Sequence, residues 1–308
     1  MDPRKKMTDK DSVDGRATEG PDKESRTPDE AGQNSLKKDR RRLLLIFLIV
    51  CGVILALLEI LEPVYTDDEV MNRMLRTLVT RTVGIAAFLP LLFSSGYDIL
   101  GYTGRRPLYG ILVALPALAV AVNNLPIIGL ATGGVKILRG GTYLFVYVLE
   151  SLSIGLFEEI AFRGVLYPAV LENRRSSTRQ IFWSTVISSA LFGGIHLFNL
   201  FLGGGIGGVL LQVGYSFLIG GMCSIVLLHT RSVWICAFIH ALFDFGGSLT
   251  ETLGEGRIWD PVTVVLTAVL GAAVLGIMLA LLLKTRPDDV AGIFERAGEP
   301  ESHSVDNE

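Results

Sequence analysis

Six ionisable residues stand in three short patterns inside otherwise apolar stretches. They are Glu158, Glu159 and Arg163, then His196, then His240 and Asp244. An ionisable group in hydrocarbon is costly, so it is normally paired or functional. In Phe157-Glu158-Glu159-Ile160-Ala161-Phe162-Arg163-Gly164, Glu159 and Arg163 are four apart. A helix places them on one face, in the acid-before-base order. Glu158 lies about 100° round from Glu159. One glutamate can then be neutralised while the other faces a cavity as a general base or acid. The bland alternative is a structural ion pair near a helix end.

In Phe192-Gly193-Gly194-Ile195-His196 the glycines let a second backbone or a substrate approach the histidine. A lone histidine on such a helix is commonly a hydrogen-bonded core residue. In His240-Ala241-Leu242-Phe243-Asp244 the polar ends again share a face. They either satisfy each other or hold donors towards a developing oxyanion. The set supplies a base, an acid and oxyanion donors, with no serine or cysteine nucleophile that has an evident partner. Ser151, Ser153, Ser188 and Ser189 read as small packing residues of membrane helices. The chemistry this suits is a base-activated water attacking a carbonyl.

The elements that must position these groups are membrane helices. Of 59 charged side chains, residues 1–42 hold 12 Lys/Arg and 10 Asp/Glu, and residues 284–308 hold 3 and 7. The 241 residues between keep only 27. Mean hydropathy is +0.47. An apolar body between charged tails predicts an all-α polytopic membrane protein and excludes a soluble globule or disulfide scaffold. The formal net charge of −3 gives no reason to expect nucleic acid. Cys51, Cys223 and Cys236 lie in apolar runs without CxxC spacing and read as small buried hydrophobes.

Residues 1–42 are too polar to offset their ordering entropy and are expected to be disordered. Lys37-Lys38-Asp39-Arg40-Arg41-Arg42 precedes the first apolar run and predicts a cytoplasmic N-terminus. Eight spans are expected, at about 43–61, 77–95, 108–130, 143–170, 180–200, 206–229, 232–250 and 262–283. Residues 43–142 would form N-terminal helices, 143–250 the core bearing the motifs, 251–283 a last helix and 284–308 an acidic cytoplasmic tail. Residues 180–230 contain no Asp, Glu, Lys or Arg, with Gly203–Gly208 as the turn between two passes. The inside loops would hold Arg105, Arg106, Arg174, Arg175, Arg179 and Arg231. Arg73, Arg76, Lys136, Arg139 and Arg257 fall in outside loops. Arg81 reads as a span-end residue, and Glu150 as lining the same cavity as Glu158. Counted from the inner span ends, Glu158 lies ~18 Å deep, His196 ~24 Å and His240 ~12 Å, a spread that convergence must overcome.

The three motifs, in this order on successive membrane helices, resemble the CAAX-protease and bacteriocin-processing family. It is also called Abi or type II CAAX prenyl endopeptidase, and it includes the Rce1 proteases. The resemblance covers about residues 143–246. It implies a glutamate-dependent intramembrane endopeptidase. Glu158 would activate water with help from His196. His240 and Asp244 would occupy the oxyanion positions, and Glu159 with Arg163 would support the site. The prenyl-protein proteases carry Asn at the last position, where this chain has Asp244. An ionised carboxylate accepts but cannot donate, so Asp244 is protonated, or it only orients His240, or the donor lies elsewhere.

No cofactor is implied, although a metal held by Glu158, His196 and His240 stays an open alternative. Expected partners are membrane lipid and a peptide or protein substrate, with or without a lipid modification. The expected location is a multi-pass position in a membrane, the plasma membrane in a prokaryote. Two other readings stay open. One is a non-catalytic scaffold or bacteriocin-immunity protein of the same fold. The other is an ion-coupled transporter, which the absence of internal repeats disfavours.

Overall fold

The computed structural model describes residues 43, 46–47, 49–58, 60–101, 107–256 and 261–294. The predicted tail 1–42, the loop residues Arg105, Arg106 and Arg257, and residues 295–308 lie outside them. The chain divides after Val50 into two units. Everything below concerns the second, from Cys51 onward.

The described chain is helical apart from one small ribbon. A short apolar helix, α1 (Ile49–Leu58), precedes α2 (Glu69–Ser94), α3 (Pro107–Asn123) and α4 (Ile127–Thr132). Next come β1 (Val135–Ile137) and α5 (Thr142–Glu159). A π-helical segment (Ile160–Leu166) leads into α6 (Tyr167–Glu172) and α7 (Thr178–Ile195). A 3₁₀ turn (His196–Leu200) precedes α8 (Ile206–Thr230) and α9 (Val233–Leu253). The chain continues through β2 (Gly254–Gly256), α10 (Pro261–Lys284) and α11 (Pro287–Ala291). β1 and β2 pair antiparallel, Val135 with Gly256 and Ile137 with Gly254. This is an all-α polytopic membrane fold. Among the described residues, α2, α7 with its 3₁₀ extension, α8, α9 and α10 are long and apolar enough to cross a bilayer.

Several span boundaries differ from the sequence reading, each for a physical reason. α2 starts at Glu69, not near residue 77, because Asp68 caps it. Asp68 Oδ1 accepts the Met71 N–H at 2.7 Å, and this bond holds the carboxyl below its usual range. Arg73 and Arg76 therefore ride on a helix rather than in a loop, and Arg76 pairs with Glu62 at 2.9 Å. The third span ends at Asn123, and α4 is a separate turn entered through Pro126. The expected glycine turn is present, with Gly203 at φ +89°.

α5 packs most extensively on α9. A Cβ at Gly155 would sit 2.6 Å from the Ala237 carbonyl oxygen and 2.7 Å from the Ala241 nitrogen. Backbone contact at this point is what brings the glutamates of α5 beside His240. Gly155→Val is accordingly expected to cost about 1–3 kcal/mol by overpacking. Thermal unfolding in detergent should reveal it; an unchanged midpoint would show that the helices slide apart freely.

The turn between α8 and α9 is itself buried. Thr230, Ser232 and Val233 are 0, 4 and 0% exposed. Val233 N–H donates to the Ile99 carbonyl, Asp98 N–H donates to that of Ile293, and Arg231 faces Asp98 at 3.4 Å. Residues 97–100 and 290–293 thus cover this turn. The four serines are buried as expected. Cys223 and Cys236 direct their thiols at each other's carbonyl oxygens, at 3.9 and 3.2 Å.

Candidate active site

The end of α5, the start of the 3₁₀ turn and the middle of α9 meet around a cavity of about 330 Å³. Glu158, His196, His240 and Asp244 all line it. His240 lies at the centre. Its Nε2 is 3.7 Å from Glu158 Oε2 and 3.4 Å from Asp244 Oδ2, ion-pair distances rather than tight hydrogen bonds. Its Nδ1 is 2.8 Å from Glu159 Oε1. The same Glu159 oxygen accepts from Arg163 Nη1 at 3.0 Å. Glu159 and Arg163 have no exposed side-chain surface at all.

The sequence spacing anticipates the Glu159–Arg163 pair but not its reach to His240, 81 positions on. One carboxylate oxygen ties the first motif to the third. The Arg163 guanidinium lies 4.4 Å over the Phe192 ring, a cation–π contact. Phe192 in turn meets His196 and His240 edge-on, with centroids 5.7 and 5.6 Å away. One ring of the second motif thus touches all three patterns. Gly220 shapes the slot behind it, since a Cβ there would stand 2.8 Å from Arg163 Nη2. Tyr167 anchors the other end of the π-helical segment through Oη to Thr185 Oγ1 at 2.8 Å.

His196 Nε2 is buried with no protein partner among the described residues. No hydrogen bond links His196 to Glu158; the two meet only across the cavity. Gly193 admits the α8 backbone, with the Val213 carbonyl 2.7 Å from where a Cβ would be, while Gly194 faces open space.

Residues 140–246 match the family described as Rce1-like, type II CAAX prenyl endopeptidase Rce1-like. The chain carries an Rce1-like domain. The match spans α5 to α9 as far as the residue after Phe245, and so takes in all three motifs. No significant match is found among curated proteins or solved structures. At the level of the family, the Rce1-like domain is that of a membrane protease.

The wall of the Rce1-like cavity also holds groups the sequence reading missed or misplaced. Glu150 lines it as expected. Arg81 is not at a span end: it sits mid-way along α2, lines the cavity and lies 5.5 Å over the Phe157 ring. Arg73 and Thr77 join it at helical spacing. Asn199 and Gln212 line the opposite side, with Asn199 Nδ2 donating to Gln212 Oε1 at 2.7 Å. The signal for this pair was present, because both are polar in a stretch without charge. Among the described residues, no group of three or more His, Cys, Asp or Glu is arranged to hold a metal ion.

Proposed function

We propose that this cavity hydrolyses a peptide bond of a membrane-associated or secreted peptide or protein. The supporting observation is that Glu158, His196, His240 and Asp244, from three separate motifs, line one cavity with Glu159 and Arg163 directly behind. Glu158 takes a proton from water, with His196 as the second group holding that water. The water oxygen attacks the carbonyl carbon, and the carbonyl π pair moves onto oxygen. His240 Nε2 donates to this oxyanion. On collapse the C–N bond breaks, and the proton on Glu158 passes to the leaving amine.

An imidazole that already gives its Nδ1 proton to Glu159 can donate from Nε2 only as an imidazolium. Three carboxylates, of Glu158, Glu159 and Asp244, surround that ring. In this arrangement Asp244 orients His240 instead of donating to the oxyanion. Asp244→Asn replaces the charged contact with His240 by a neutral one, so kcat should fall about tenfold with KM little changed. An unchanged kcat would instead assign Asp244 a neutral hydrogen-bonding role.

No cofactor takes part in these steps, and cleavage should survive a chelator. Loss of activity that zinc restores would transfer water activation to a metal at Glu158, His196 and His240. In this reading both termini are cytoplasmic and the protein is multi-pass, its membrane being the plasma membrane if the source is prokaryotic. The deciding experiment is comparative peptidomics of cells carrying wild type or Glu158→Gln. A peptide released only by wild type supports the reading; identical profiles overturn it.

A further inference from the structure

The turn joining α7 to α8 differs in character from the other connection at the same end of the bundle. α8 runs away from this end and α9 returns to it, so β2 and its partner β1 lie there too. That ribbon carries charge, with Lys136 paired opposite Glu255 and both exposed beside Ile137. The α7–α8 turn carries no charge. It instead exposes large apolar side chains: Phe198 at 65%, Phe201 at 86% and Ile206 at 70%.

The polar groups of this turn face the other way. His196, Asn199 and Gln212 line the catalytic cavity. The backbone closes largely on itself. Phe201 N–H donates to Phe198 at 2.9 Å, Gly204 N–H to Asn199 at 2.8 Å and Gly203 N–H to Leu200 at 3.4 Å. In hydrocarbon each backbone polar group must find an internal partner, and irregular chain persists only where it is buried or lines a cavity. A turn in water has no such need and rarely exposes two phenylalanines and an isoleucine together.

We infer that this turn is immersed in the bilayer and forms a lipid-facing lip of the cavity, solvated by acyl chains. The cavity wall at Asn199 and Gln212 is then a single turn thick, with lipid outside and the site within. This placement rests on α7 and α8 spanning the membrane, not on turnover.

The test uses the full chain in lipid nanodiscs, which leave both faces open to solutes. F201C and E255C are each treated with a sulfonated maleimide and, separately, spin-labelled; the described native cysteines are buried. F201C should react on the order of tenfold more slowly than E255C, as burial of one large apolar side chain implies. Its nitroxide should relax with oxygen rather than with a water-soluble nickel chelate. Equal maleimide rates, or dominant relaxation by nickel, would overturn the inference. F198C serves if F201C does not fold. Repeating the labelling on Glu158→Gln separates the two ideas: the lip is read from labelling alone and the activity from peptides alone.

Discussion

Glu158→Gln is expected to lower cleavage about a thousandfold while expression, membrane insertion and gel-filtration behaviour stay as in wild type. That loss is within the range a positioned general base supplies. Glutamine keeps the shape and can still hydrogen-bond, but it cannot take a proton from water. Glu158 is also the least enclosed of the two adjacent glutamates. Its side chain is 11% exposed and faces the cavity, whereas that of Glu159 is fully enclosed. The substitution therefore removes chemistry without opening a hole. The measurement is single-turnover cleavage of the peptide identified by peptidomics. Glu159→Gln should also lose activity, by a different route, since His240 Nδ1 would lose its carboxylate partner. Turnover at the wild-type rate in Glu158→Gln would sink the proposed mechanism.

Arg163→Met should be strongly destabilising, by about 3–5 kcal/mol, because it removes one partner of a fully buried ion pair. Arg163 is 0% exposed and is enclosed by Glu159, Phe192 and Gly220. The double variant Glu159→Gln/Arg163→Met should recover most of that loss, since a buried pair replaced by neutral groups of similar volume is often close to neutral. It should not recover activity, because the carboxylate that orients His240 is gone. Denaturation in detergent gives the stabilities, and the same samples give the rates. Equal stability of Arg163→Met and wild type would mean that the buried Glu159 carboxylate does not depend on the Arg163 cation.

The three motifs were legible because polar residues at four-residue spacing stand out in an apolar helix. The membrane fold was legible for the same reason, from the charge-poor body. What was not legible depended on contacts between distant helices. Glu159 reaches His240 because Gly155 lets α5 and α9 touch, and no local spacing encodes that. Arg73 and Arg81 were misplaced because the charges at the start of α2 mimic a loop. Asp68 as a capping residue was the available sign that the helix begins earlier. The burial of the α8–α9 turn, under segments from residues 97–100 and 290–293, was likewise set by contacts between distant parts of the chain.

The helix that carries Glu158, Glu159 and Arg163 winds as a π-helix over Ile160–Leu166. Such a stretch accommodates an additional residue relative to α-helical winding. Both of its ends are fixed, by the Glu159–His240 contact on one side and by Tyr167 on Thr185 on the other. The winding of this segment is thus a property of the site in its own right. Winding these same residues as an α-helix would turn Glu158 by about 100° relative to Tyr167. Every reactive side chain would still be encoded, yet Glu158 would no longer face His240. This stretch should therefore tolerate substitutions that keep its π-helical winding far better than ones that impose an α-helix on the same residues.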